Sequence, residues 1–129
     1  MVLNEKYKKL IIFTHGNLAV ELLNLANLLL GEIDPGVISV ISNNGLSTIQ
    51  AINQLLGIIK KDCTYIIITD FPGGSCYIAS RKVSAQLDNV FTLTGANISM
   101  LISFLTKCEN CSIQELLEIM RTDARRAII

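Results

Sequence analysis

Four short runs in this chain are apolar at nearly every position and rich in β-branched residues, at residues 10–13, 37–41, 65–68 and 90–93. A strand with one solvated face alternates apolar and polar residues, whereas these runs are almost continuous. Continuous apolar character is typical of strands that are covered on both faces. The runs therefore predict a parallel sheet buried between two layers of helices.

Helical patterns separate these runs. Apolar residues recur at helical spacing in two stretches, over residues 18–30 (Leu18, Leu22, Leu25, Leu29) and over residues 49–59 (Ile49, Ile52, Leu55, Leu56, Ile59). Further helices are predicted over residues 74–87 and 97–105. A last helix begins at Ser112, where Ser112-Ile113-Gln114-Glu115 has the pattern of a capping box.

Strands that alternate with helices imply right-handed crossovers. We therefore predict an α/β fold: a three-layer sandwich with a mostly parallel central sheet. The strand order 2-1-3-4 is adopted as a hypothesis. Residues 124–129 complete the last helix or form an edge strand, and the sequence leaves both open.

Composition excludes several classes of protein. Half of the 129 residues are apolar and 17% are charged, which suits one domain over residues 1–129 with a substantial core. The formal net charge is zero, so the general attraction for nucleic acids or anionic membranes is missing. No apolar stretch reaches the roughly 20 residues of a membrane helix, and the start lacks a signal-peptide pattern. We expect a soluble cytoplasmic protein that does not bind nucleic acid.

The cysteines do not indicate a disulfide scaffold. There are four, Cys63, Cys76, Cys108 and Cys111, and their spacing is irregular. Cys108 and Cys111 have C-x-x-C spacing, but a zinc site needs further ligands and a thioredoxin-like redox site needs a strand-to-helix context. Reduced thiols are the expected state.

Polar residues collect where three of the predicted strands end. The segments are Thr14-His15-Gly16, Thr69-Asp70-Phe71-Pro72-Gly73-Gly74-Ser75 and Gly95-Ala96-Asn97. Ligands of parallel α/β sheets bind at the carboxyl ends of the strands, near the point where strand order reverses. With the order 2-1-3-4 the first and third strands are neighbours, so His15 should face Asp70.

A histidine paired with a carboxylate has a defined chemistry. The carboxylate accepts from one imidazole nitrogen, which leaves the other nitrogen's lone pair to act as a base, nucleophile or ligand. Gly73 and Gly74 would turn backbone N–H groups toward an anion at the start of the third helix, so a phosphoryl group could lie beside His15. Ser75 either caps this helix or donates its hydroxyl to the phosphate.

The remaining candidates line the site. Thr14, Thr69 and Asn97 are its expected walls, and Asn97 is also the expected cap of the fourth helix. No metal or cofactor is expected, because the chain has neither a second histidine nor clustered carboxylates.

Together these segments resemble the enzyme IIA domains of the mannose family of the bacterial sugar phosphotransferase system. The resemblance rests on the three strand-end segments in their order and on the ending Ala124-Arg125-Arg126. It covers nearly the whole chain. The resemblance implies a phosphocarrier, a phosphotransferase component that accepts a phosphoryl group from phospho-HPr and passes it to enzyme IIB for sugar uptake.

The resemblance also implies a role for each site residue. His15 is the implied phosphorylated residue, through Nε2, and Asp70 is the implied partner of its other nitrogen. Gly73, Gly74 and Ser75 are the implied phosphate cradle. The family's homodimers imply the same state here, with residues 126–129 as a strand that two copies exchange, and at most a peripheral association with a membrane sugar permease.

The chain departs from the family pattern at Cys76, Ile78 and Ser99, where the family usually has Pro, Asn and Pro. Two alternative functions stay open. One is a regulatory or dihydroxyacetone-kinase phosphotransfer subunit that uses the same histidine. The other is a module that binds a small molecule without covalent chemistry.

Overall fold

A computed structural model describes residues 7–129 of the protein. Residues 1–6, part of the segment in which no signal peptide was predicted, lie outside the described residues. The elements follow in the order β1 (Lys8–His15), α1 (Leu18–Leu30), β2 (Ile38–Asn43), α2 (Thr48–Ile58), β3 (Thr64–Thr69), α3 (Ser75–Ser84), β4 (Val90–Thr94), α4 (Ile98–Lys107) and α5 (Ile113–Arg126). The predicted alternation of strands and helices is confirmed.

The four strands form one parallel sheet in the order β2-β1-β3-β4. This order confirms the predicted one. Strand order reverses between β1 and β3, whose carboxyl ends therefore meet at the centre of the sheet. His15 is the last residue of β1, and Asp70 directly follows β3.

The core has two halves, one on each face of the sheet. Leu10 and Ile12 of β1 pack against α1, α4 and α5. Ile11 and Phe13 point to the opposite face and pack against α2 and α3. All four side chains are fully buried, which is why the run showed no alternation. The predicted three-layer sandwich is confirmed.

The inner faces of the first two helices differ from the predicted stripes. In α1 the residues that reach the core are Ala19, Leu22 and Ala26, whereas Leu25 and Leu29 are exposed. In α2 Ala51 and Leu55 are buried, and Ile49, Ile52 and Leu56 stay partly or largely exposed. Small alanine side chains allow a helix to lie close to the sheet, and in a helix apolar on most sides hydrophobicity alone does not identify the inner face.

The C-terminal segment completes the last helix. Helix α5 continues to Arg126, and residues 127–129 that follow have no strand pairing. The capping box at Ser112 is present, because its side chain accepts from the Glu115 backbone and the Glu115 side chain accepts from the Ser112 backbone. Within residues 7–129, none of the helices is long and apolar enough to cross a membrane.

Candidate functional site

The chain turns sharply immediately after His15. Gly16 adopts a φ of +59°, in the left-handed region that favours glycine, and α1 begins two residues later. This turn leaves the imidazole at the carboxyl end of the sheet, with 41% of the His15 side chain exposed. A second protein can therefore reach the ring.

Asp70 binds His15 through two hydrogen bonds to one carboxylate oxygen. Its Oδ2 lies 2.8 Å from the imidazole Nδ1 and accepts the backbone N–H of His15 at 2.9 Å. Its Oδ1 accepts the backbone N–H of Phe71 at 3.1 Å. The carboxylate is thus fixed in place, and it fixes both the position and the orientation of the imidazole.

These hydrogen bonds determine the ionisation of Asp70. Burial by itself would raise the pKa of this carboxyl group, but the backbone and side-chain hydrogen bonds from His15 outweigh burial and hold its pKa below the ordinary value of 3.8. Asp70 is therefore ionised at neutral pH and can only accept. It follows that Nδ1 of His15 carries a proton, and in the neutral ring the lone pair is on Nε2.

Helix α3 begins beside this nitrogen. Its N-cap is Gly74, which provides no side-chain hydrogen bond to the first turn. The first backbone N–H groups of a helix have no partner within the helix and attract negative charge. The open start of α3 therefore offers N–H groups to an anion.

Gly74 also makes room for the imidazole. A Cβ atom at this position would lie 2.8 Å from His15 Cε1 and 2.9 Å from Phe71 Cζ, closer than such atoms can approach. At Gly73 the nearest atom would be Phe71 Cε2 at an ordinary 3.6 Å. The half-exposed ring of Phe71 lies against the imidazole, with ring centroids 5.5 Å apart. The two glycines thus differ: only Gly74 is required by close packing.

Ser75 is the first residue of α3, and Gly74 is the N-cap. The interpretation of Ser75 as the cap of this helix is therefore wrong. Its Oγ is 3.3 Å from Nε2 of His15. The hydroxyl therefore touches the nitrogen that the Asp70 hydrogen bond leaves free.

Asn43, the last residue of β2, also belongs to the site and was not predicted from the sequence. Its amide donates to Ser75 Oγ at 3.0 Å, and its backbone oxygen accepts from Gly16. The side chain is buried, with 4% of the residue exposed. The signal that could have identified it is its position at the carboxyl end of β2, next to the first strand in the predicted order.

The hydrogen bonds of the three predicted wall residues go to partners other than the imidazole. Thr14 is buried and accepts the backbone N–H of Ala19, at the start of α1. Thr69 is buried and bonds to Thr94 of the neighbouring strand. Asn97 caps α4, as predicted, and its amide also donates to the backbone of Ala124 in α5.

Cys76 is buried beneath the imidazole, with its Sγ 3.8 Å from Nδ1. Burial raises the pKa of the Cys76 thiol to about 11, against the opposing effect of a hydrogen bond from Asn43. At neutral pH the thiol is therefore protonated and weakly nucleophilic.

Ligand atoms of His15, Asp70 and Cys76 lie within 4.8 Å of one another, which is close enough to surround a metal ion. However, Nδ1 and Asp70 Oδ2 are bonded to each other, and the thiol keeps its proton. The geometry is that of a hydrogen-bonded histidine, with its Nε2 beside the open start of a helix. Such a site can bring a nucleophilic nitrogen to an anionic electrophile.

Solved structures share this fold. The chain superposes on phosphotransferase system component EIIA from Streptococcus agalactiae with a TM-score of 0.87 at 22% identity, covering 95% of both chains. The mannose/sorbose-specific IIA subunit of the phosphotransferase system from Enterococcus faecalis gives 0.82 at 21% identity, covering 95% of this chain and 93% of that one. A sigma-54 interaction domain protein from Enterococcus faecalis gives 0.72 at 14% identity, covering 96% and 95%.

Comparison of sequences gives the family. No curated protein matches the chain. The family EIIA-man, described as "PTS system fructose IIA component", matches residues 9–120, which include the whole His15 and Asp70 site. As the strand-end segments implied, this chain belongs to the EIIA-man family of the phosphotransferase system, as a phosphotransfer component of sugar uptake.

Proposed function

We propose that this protein is a phosphohistidine carrier: His15 accepts a phosphoryl group from phospho-HPr and passes it to enzyme IIB. The observation that carries the proposal is the geometry of one ring. Asp70 binds Nδ1 at 2.8 Å, while Nε2 lies beside the open N-terminus of α3. One nitrogen is thus occupied, and the other is placed where a phosphoryl group would be stabilised.

The proposed reaction is an in-line transfer between two histidines. The lone pair of Nε2 attacks phosphorus, the new P–N bond forms, and the P–N bond to the donor's histidine breaks with its electron pair returning to that ring. Asp70 offsets the positive charge that develops on the imidazole. Backbone N–H groups around Gly73, Gly74 and Ser75 take charge on the phosphoryl oxygens, and that of Gly74 donates to the Phe71 carbonyl oxygen at 3.4 Å in the free protein.

The surroundings of His15 support a reaction with a protein partner. The imidazole is 41% exposed, and Phe71 beside it is 51% exposed. An exposed aromatic ring next to a reactive side chain is a typical contact for a docking protein. We also propose that the protein acts in the cytoplasm as a homodimer, with residues 1–129 as a single domain and residues 126–129 as the segment that two copies would exchange.

The test is phosphorylation by the upstream components. The protein and its His15→Ala variant are incubated with phosphoenolpyruvate, magnesium, enzyme I and HPr, and intact masses are measured. One acid-labile phosphoryl group on the wild type alone is expected. Phosphorylation of His15→Ala, or none of the wild type while HPr itself is phosphorylated, would contradict the proposal.

Onward transfer separates the carrier role from the alternatives. Loss of the phosphoryl group upon addition of the enzyme IIB encoded nearby in the genome would support sugar uptake. A regulatory or kinase-linked role instead predicts no transfer to IIB. A non-covalent binding module predicts a ligand that binds equally well after His15→Ala.

A further inference from the structure

The amide of Asn43 has only one orientation that satisfies its neighbours. Its Oδ1 lies 2.8 Å from the backbone nitrogen of Leu46 and 3.2 Å from that of Gly45. Both partners can only donate, so the oxygen must face them. The Nδ2 group therefore faces Ser75, and it can only donate.

This donor determines what the hydroxyl of Ser75 can do. Asn43 Nδ2 donates to Ser75 Oγ at 3.0 Å and thereby occupies a lone pair of the hydroxyl oxygen. The proton of the hydroxyl is then free to point to Nε2 of His15, 3.3 Å away. Nδ1 already donates to Asp70, so Nε2 of the neutral ring is an acceptor.

We propose that Asn43 is a positioning residue that, through Ser75, keeps the reactive lone pair on Nε2 of His15. All donors in the chain of hydrogen bonds then point the same way: Asn43 to Ser75, Ser75 to Nε2, and Nδ1 to Asp70. With a proton on Nε2, the hydroxyl would have to turn its own proton away from His15 and accept from Asn43 and Nε2 at once. The inference rests on the proposed function, since it concerns the nitrogen that would receive the phosphoryl group.

Cys76 completes the environment of Asn43. Its Sγ lies 3.6 Å from Nδ2, within reach of the amide hydrogen that Ser75 does not use. Asn43 is buried, so an unpaired amide hydrogen would be costly there. This contact gives a physical reason for a cysteine at position 76, because its sulfur can accept that hydrogen.

The decisive variant is Asn43→Asp, which has nearly the same shape. A carboxylate at this position still accepts the backbone N–H groups of Gly45 and Leu46, but it cannot donate to Ser75. The hydroxyl of Ser75 then donates to that carboxylate and turns a lone pair toward Nε2, which favours a proton on Nε2. We expect phosphoryl acceptance from HPr to slow on the order of tenfold, in the rate constant rather than in the KM for HPr.

The measured quantity is the protonation of the two imidazole nitrogens. Nitrogen NMR of the untagged protein at pH 7.5 measures it. His15 is the only histidine of the chain, so its two ring nitrogens give unambiguous signals. A ring nitrogen that carries a proton and one that carries a free lone pair have widely separated chemical shifts. The wild type should show a lone pair on Nε2, and Asn43→Asp should show a larger population with a proton there.

Asn44→Asp is the matched control. Asn44 is exposed, and its replacement adds the same charge one residue away from Asn43. A second control is Asn43→Asp in a Ser75→Ala background, where the hydroxyl that connects the two residues is gone. The proposal expects no increase in Nε2 protonation in either control. An equal increase in either, or an unchanged imidazole in Asn43→Asp, would overturn it.

Ser75→Ala alone keeps the proposal testable if Asn43→Asp does not fold. Loss of the hydroxyl should shift the Nε2 resonance toward that of a lone pair without a hydrogen bond, and an unchanged Nε2 signal would overturn the proposal. These spectra need no phosphoryl donor. Failure of the phosphorylation assay and failure of this inference are therefore distinguishable.

Discussion

The carboxylate of Asp70 binds His15 twice, once at the imidazole and once at the backbone. Oδ2 of Asp70 lies 2.8 Å from Nδ1 and also accepts the His15 backbone N–H at 2.9 Å. The two residues are 55 positions apart in the sequence and meet because β1 and β3 are parallel neighbours. One carboxylate thus fixes both the end of a strand and the orientation of the ring.

Replacement of Asp70 by asparagine should slow phosphoryl acceptance by roughly 10- to 100-fold, as for other partners that orient a reactive histidine. The amide keeps the shape but removes the negative charge that offsets a cationic imidazole. The rate of phosphorylation by phospho-HPr is measured by intact mass in samples quenched at successive times. A rate equal to that of the wild type would show that Asp70 does not orient the nucleophile.

Asp70 should also make stability depend on pH in acid. Its pKa lies below the ordinary value of 3.8 in the folded protein, so its contribution is present above that pH and is lost as the pH falls through the lower folded value. The difference in the free energy of unfolding between wild type and Asp70→Asn should therefore shrink below pH 3.8. Urea titrations at several pH values measure it, and a difference that grows in acid would contradict this sign.

Gly74→Ala and Gly73→Ala form a matched pair. A Cβ atom at Gly74 would lie 2.8 Å from His15 Cε1, so the imidazole or the ring of Phe71 must shift. Displacement of a reacting group by about 1 Å can cost up to roughly 100-fold in rate. Gly73→Ala meets only an ordinary contact and keeps the backbone N–H, so it should transfer at nearly the wild-type rate. Equal losses in the two variants would refute the steric explanation.

A stability prediction concerns two buried serines away from the imidazole. In the part of the chain that the structure describes, Ser80 Oγ is a buried atom without a hydrogen-bond partner. Ser103 Oγ, in contrast, donates to Asp123. Ser80→Ala should raise the free energy of unfolding by about 1 kcal/mol, and Ser103→Ala should lower it by about 1 kcal/mol. Urea unfolding measures both, and a loss of stability in Ser80→Ala would contradict the first.

Much of the fold could be predicted from the sequence, because the strands are buried on both faces and their apolar runs are unbroken. The meeting of His15 with Asp70 followed from strand order alone. The inner face of α1 could not be predicted, since leucines surround the helix and the residues that reach the core include Ala19 and Ala26. The difference depends on how closely the helix approaches the sheet.

The polar details of the site were harder to predict. Ser75 at the start of α3 meets Asn43 at the end of β2 through their side chains, and the sequence does not show that these two side chains converge. Thr14 and Thr69 directly precede His15 and Asp70 in the sequence, yet their hydroxyl groups bond elsewhere, to the start of α1 and to β4. Position at a strand end selects candidates, whereas the direction of each side chain decides which of them reach the imidazole.

The most direct test of the account identifies the nitrogen that carries the phosphoryl group. The protein is labelled with ¹⁵N, phosphorylated through HPr, and examined for coupling between phosphorus and the ring nitrogens of His15. We predict phosphorus on Nε2, with Nδ1 still protonated and bound to Asp70. Phosphorus on Nδ1, or on any residue other than His15, would contradict it.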